Sequence, residues 1–166
     1  MSNLIDNLPN LVEGVVTFNA ISGNLLDVNS SSLLAQSKVV LEEATELLEA
    51  VEEGLGQEQI LKEAADCMVS ICGMVAMLNR LGYDVSGAWQ AVNENNMTKF
   101  PTDRIEAIYA ADAIANETGK VCSVFERDGR YVIKDGNGKI RKSASYSKVS
   151  VLQYTPDYQQ KENTND

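Results

Sequence analysis

VLEEATELLEAVEEGL, residues 40–55, and KEAADCMVSICGMVAML, residues 62–78, decide how this chain folds. In the first stretch Val40, Ala44, Leu47, Leu48, Val51 and Leu55 recur at helical spacing and predict a buried stripe. In the second, residues 67–78 carry no charged side chain, and a helix that is apolar all round is a buried one. The same stretches hold five carboxylates: Glu42, Glu43 and Glu46, then Glu63 and Asp66. Spacings of three or four residues put them one turn apart on a helix face. Like charges so placed repel, so helix stability alone does not favour them. Glu43 and Glu46 flank the apolar stripe, whereas Glu49, Glu52 and Glu53 lie further round toward solvent. Acids beside a buried helix are costly to ionise unless a cation or donor compensates them. Two such faces brought together form a nest of oxygen ligands suited to a hard divalent cation such as Mg²⁺, with Mn²⁺ as a substitute. The plainer reading of either cluster is a solvated acidic face.

Outward from this pair the helical pattern continues. A first helix is expected over about 9–22. A second starts at a cap supplied by Ser30, Ser31 or Ser32 and runs to about Glu53. Gly54 and Gly56 break the pattern, and a third helix covers about 57–80. A fourth spans about 86–97, and a fifth spans 102–116 from a Thr102 cap. The period then changes: VCSVFERDGRYVIKDGNGKIRKS, residues 121–143, alternates around Gly-containing turns and reads as β-hairpin or meander. The expected architecture is mainly α, an antiparallel helical bundle with a small C-terminal β-hairpin. Residues 1–118 make the helical domain, 119–155 extend it, and 156–166 form a disordered tail.

Composition narrows the function. A chain of 166 residues is one domain's worth with room for a core. It contains no histidine, and its three cysteines have no CxxC spacing. Common zinc sites, Ser-His or Cys-His triads and imidazole acid–base chemistry are therefore excluded. Cys67 and Cys72 read as small core residues. The net charge of −10 argues against nucleic acid or an anionic membrane as the main partner. The uncharged run at 67–78 is too short to span a bilayer. The N-terminus lacks the basic and apolar regions of a signal peptide, so a cytoplasmic protein is expected. The charge is uneven: residues 42–66 hold nine acids and one base, while 119–150 hold eight bases and three acids. Trp89 is expected in a core or interface. Because residues 67–78 require burial on every side, a homodimer or dimer of dimers is expected, the third helix central to its interface.

Asn93, Asn96 and Lys99 fall three residues apart and form a polar line near the end of the fourth helix. Lys99 can neutralise a phosphate and an Asn amide offers both donor and acceptor. Equally, Asn96 can cap the helix and Lys99 can favour its C-terminal dipole. Lys38, one turn before Glu42, is either a salt-bridge partner or a second phosphate ligand. Asn19 is a weaker candidate for a base or sugar pocket.

The EExxE motif at 42–46 and ExxD at 63–66, with 16 residues between them, resemble the signature of the MazG-like, all-α nucleoside triphosphate pyrophosphohydrolases. FNAISG (18–23) resembles the FHxxxG-type segment of phage and bacterial relatives, with Asn19 where histidine is frequent. VNENNMTKF (92–100) is similar to the segment that follows the metal helices, and Gly138-Lys139-Ile140 with Lys142 to a hairpin of many phage members. The resemblance touches most of residues 15–150. It implies Mg²⁺-dependent hydrolysis of a (deoxy)nucleoside triphosphate to monophosphate and pyrophosphate. Glu43, Glu46, Glu63 and Asp66 would be metal ligands, and Asn96 and Lys99 substrate contacts, with Asn93 a further one. Glu42 would assist proton removal from water, although its one-turn spacing from Glu46 also suits a ligand. Within the same superfamily a phosphoribosyl-ATP, dUTP or diphosphate substrate is an alternative. Outside enzymes, the alternative is a non-catalytic Mg²⁺- or nucleotide-binding helical module.

Overall fold

The computed structural model describes residues 2–143 and 146–158. Five helices come first: α1 (Ser2–Ile21), α2 (Ser30–Glu52), α3 (Gln57–Arg80), α4 (Val85–Met97) and α5 (Arg104–Thr118). Three short strands follow, β1 (Cys122–Arg127), β2 (Arg130–Asp135) and β3 (Ile140–Arg141), then a 3₁₀ turn at Leu152–Tyr154. The protein is thus mainly helical with a small antiparallel sheet. Within the expected tail, residues 156–158 have helical backbone, and 159–166 lie outside the described residues.

The chain forms two compact units, Met1–Val85 with Thr155–Asp166, and Ser86–Tyr154. The second unit takes in α5, which packs on β1 and β2.

In the first unit α2 and α3 run antiparallel. Their connection is short because Gly54, at φ +66°, lets the backbone turn left-handed. Leu55 N–H then returns to the Ala50 carbonyl at 2.9 Å, closing a Schellman-type stop. The start of α2 differs from expectation. Asn29, not a serine, is the cap: its Oδ1 accepts from the Ser31 and Ser32 amides at 2.8 and 3.2 Å. Ser32 Oγ takes the Asn29 N–H in return at 2.8 Å, a reciprocal capping box. α1 begins before residue 9 and contains Pro9, whose missing N–H costs the helix one bond there.

The burial of α2 also differs from expectation. Its residues buried or half-buried toward α3 are Leu33, Gln36, Val40, Glu43, Leu47 and Ala50. Of the predicted stripe, Ala44, Leu48, Val51 and Leu55 are exposed. On α3, Glu63, Ser70, Gly73 and Met77 are buried, but Met68, Val69 and Ile71 are not.

In the second unit Ala107, Ala110 and Ala111 of α5 pack against Ile133 of β2, which is fully buried. Three alanines on one face let the helix approach the sheet closely. β1 and β2 pair from Cys122↔Asp135 to Arg127↔Arg130. The turn between them is Asp128-Gly129, both at positive φ (50° and 72°), as a two-residue hairpin matched to strand twist requires. β3 adds a third strand, so that of the expected hairpin or meander the chain forms the meander, pairing Ile133↔Arg141 and Lys134↔Ile140. Asp135 ties the second turn: its Oδ1 accepts from the Asn137 and Lys139 amides, both at 3.0 Å. Asp103, not Thr102, caps α5 by accepting from Ile105 N–H at 2.7 Å. Trp89, expected in a core or interface, is largely exposed in the chain.

Candidate metal centre

One polar contact marks the register of the α2–α3 seam. The Gln36 side-chain amide donates to the Ser70 carbonyl at 2.9 Å, at a point where Gly73 leaves room: a Cβ there would meet Gln36 Nε2 at 3.1 Å. Two turns along in the antiparallel sense, Glu43 meets Glu63 and Asp66. Each of these three carboxylates offers one oxygen, and the three oxygens lie within 4.8 Å of one another. Glu63 is buried, at 4% exposure; Glu43 and Asp66 are half-buried.

Such a cluster must be compensated, and neighbouring α3 residues do part of this. Lys62 Nζ reaches Asp66 at 2.8 Å and Glu63 at 3.3 Å. Gln59 Nε2 donates to Glu63 Oε1. Hydrogen bonds to Asp66 and Glu63 hold the Lys62 ammonium well above its usual pKa. Glu46 adjoins the cluster and registers its charge. Desolvation, then the charges of Glu63 and Glu43, push its carboxyl above the usual range, with a hydrogen bond to Glu63 and the Glu42 charge adding to the shift. The arrangement is short of positive charge.

The donor set fits a hard cation. All candidate ligands are carboxylate oxygens from two rigid helices, and soft or imidazole ligands are absent from the cluster. In Mg²⁺ coordination at about 2.1 Å, neighbouring ligand oxygens lie about 3 Å apart and opposite ones about 4.2 Å. The three oxygens, within 4.8 Å of one another, lie close to that range.

The other candidate residues are distributed as follows. Glu42 is exposed and outside the three-oxygen cluster. Lys38 is exposed and, among the described residues, has no ion pair. Asn19 is buried at 5% exposure. Its Nδ2 donates to the Val15 carbonyl at 2.9 Å and its Oδ1 accepts from Asn24 at 3.1 Å, beside Gly73. Near this corner a cleft of about 330 Å³ is lined by Asn24, Asp27, Gln36 and Met77 among others. Asn93, Asn96 and Lys99 lie in the second unit. There Lys99 Nζ donates to Asn96 Oδ1 at 2.6 Å, and Asn93 is exposed.

Sequence reasoning missed Lys62 as a counter-ion, although its i,i+4 spacing to Asp66 was the signal. It also missed Gln36, whose role depends on the partner helix. No described helix is long and apolar enough to cross a membrane. No family model, curated protein or solved structure matches this chain. Fold and site together define a mainly helical protein with a carboxylate cluster between two antiparallel helices.

Proposed function

We propose that the chain is a metal-dependent nucleoside triphosphate pyrophosphohydrolase of the MazG-like, all-α kind, with Mg²⁺ as its cofactor and Mn²⁺ as a substitute. The observation carrying this reading is the convergence of Glu43, Glu63 and Asp66 within 4.8 Å in the α2–α3 seam. Glu46 adjoins them as the fourth ligand. An ion held there would neutralise triphosphate oxygens and lower the pKa of a bound water. The chain's own residues hold the ion and orient the reacting groups. With no histidine present, a carboxylate must take the proton from the attacking water, and Glu42, beside Glu43 yet outside the cluster, is assigned that role. Water adds at phosphorus, one anhydride P–O bond breaks, and the products are the monophosphate and pyrophosphate. Asn96 and Lys99 are assigned to the substrate, with Asn93, Lys38 and Asn19 as further contacts.

The reading includes a homodimer or dimer of dimers. Leu34, Leu41 and Leu48 recur every seven residues along α2, and all three are exposed, as is Leu55 just beyond the helix. Leu61 and Met68 are similarly exposed on α3. A heptad line of leucines suits packing against another helix, and closed two-fold pairing is the commonest way to supply one.

The test is pyrophosphate release over a panel of nucleotides with Mg²⁺ and with EDTA. Pyrophosphate from at least one (deoxy)nucleoside triphosphate, abolished by EDTA, supports the reading. Orthophosphate as the sole inorganic product, or indifference to EDTA, rejects it.

A further inference from the structure

β1 is one edge of the sheet, and its pairing with β2 runs from Cys122 to Arg127 without a bulge. Proteins commonly blunt a free edge with charge, proline or a bulge. The stretch Cys122-Ser123-Val124-Phe125 has none of these. Opposed residues of an antiparallel pair exchange both backbone bonds or neither. Tyr131 donates its N–H to the Pro101 carbonyl at 2.8 Å, and Asp135 donates its own to the Lys139 carbonyl at 3.0 Å, so neither N–H faces β1. Their partners on β1 are Glu126 and Cys122. These two, and Val124 between them by alternation, therefore turn N–H and C=O to the free edge. Among the described residues no other backbone group takes up these outward groups.

The side chains select what pairs there. Cys122 and Val124 pack toward the α5 core, so Val121, Ser123 and Phe125 share the opposite face. Val121 is 80% exposed, and Ser123, Lys120 and Glu126 are exposed as well. An antiparallel copy of β1 must set outward-turned residues against outward-turned residues, so a two-fold axis passes through a residue position. Within residues 120–127, axes at Cys122, Val124 or Phe125 set no opposite charges against each other. An axis at Ser123 sets Glu126 against Lys120 of the second copy, and Lys120 against its Glu126. Opposite charges so placed favour a strand pair. The same register sets Phe125 against Val121, and Cys122 against Val124, which then exchange both backbone bonds.

We propose that the edge of β1 is an interface between two copies of this chain, joining their sheets antiparallel with Ser123 at the two-fold axis. The contact lies in the second unit and does not use the leucine line of α2, so either association can fail without the other.

The test is disulfide cross-linking of the full chain under mild oxidation, read on a denaturing, non-reducing gel against wild type with its native cysteines as background. Across the axis the two copies of residue 123 form a non-hydrogen-bonded pair with Cα atoms about 4.5 Å apart, within disulfide reach. The two copies of residue 121 lie about 13 Å apart in this register, beyond it. Ser123→Cys should therefore give a covalent dimer, and Val121→Cys should stay at background although its site is strongly exposed. In the Ser123→Cys chain, Glu126→Lys should lower the dimer yield about fivefold by opposing like charges, and adding Lys120→Glu should restore it. An edge covered by another protein's strand, or by this chain's own terminus, would leave Ser123→Cys at background and overturn the proposal. Equal cross-linking of Val121→Cys and Ser123→Cys would overturn it too.

Discussion

Glu43 of α2 and Glu63 of α3 present carboxylate oxygens to each other inside a helix–helix seam, within a three-oxygen set no wider than 4.8 Å. Nineteen residues separate them in sequence, and an antiparallel turn brings them together. Exposed acids would spread apart in solvent; these are held together by the packing of α2 on α3.

Glu46 makes this tension measurable. Its folded-state pKa is raised by desolvation and then by the charges of Glu63 and Glu43. A raised carboxyl contributes full stability below the ordinary carboxylate range and loses it as pH rises through the folded value. In EDTA, wild type should therefore lose stability relative to Glu46→Gln over that interval. Saturating Mg²⁺ should cancel the loss. Thermal melts of both proteins across pH check this, and parallel curves for the two would contradict it.

Lys62 is the cluster's internal counter-ion, bonded to Asp66 at 2.8 Å. Because the pair is solvent-exposed, its worth is small. Lys62→Met should tighten Mg²⁺ binding about threefold, the order expected for loss of an exposed competing charge. Titration calorimetry with Mg²⁺ reads the change, and weaker binding in the variant would be the opposite of expectation.

Much of this organisation was legible locally. The third helix, expected over about 57–80, is Gln57–Arg80, because glycines before it and Leu81-Gly82 after it are strong local stops. The hairpin was legible from Asp128-Gly129, a dipeptide that tolerates positive φ at both positions. The caps were less so: Asn29 competed with three serines and Asp103 with Thr102, all good cap residues. The α2 stripe was misplaced because Leu48, Val51 and Leu55 are apolar enough for a core. The face turned to the seam instead carries Gln36 and Ala50, with Gly73 beside Gln36. One-turn spacing identified the acids, but their convergence depends on a register between two helices.

Ile133 is the fully buried centre of the α5–sheet core. Its replacement by alanine should cost about 2–5 kcal/mol through lost burial and the cavity left behind. Chemical denaturation monitored by circular dichroism measures this. A loss below about 1 kcal/mol would mean that this core is not packed as described.

The exposed heptad leucines of α2 predict self-association. Light scattering should give at least twice the 18.1 kDa of one chain, and Leu41→Glu should lower the mass by placing a charge in the helix contact. A wild-type mass of one chain would contradict the dimer.

The central claim is that the carboxylate seam is a metal-dependent hydrolytic site, and Glu63→Gln tests it most directly. The change preserves shape while removing one buried charge, so the fold should persist, with apo stability equal to or above wild type. Phosphorus NMR of a (deoxy)nucleoside triphosphate incubated with Mg²⁺ should show monophosphate and pyrophosphate for wild type. It should show unreacted triphosphate for folded Glu63→Gln. Equal pyrophosphate formation by the two proteins would contradict the account.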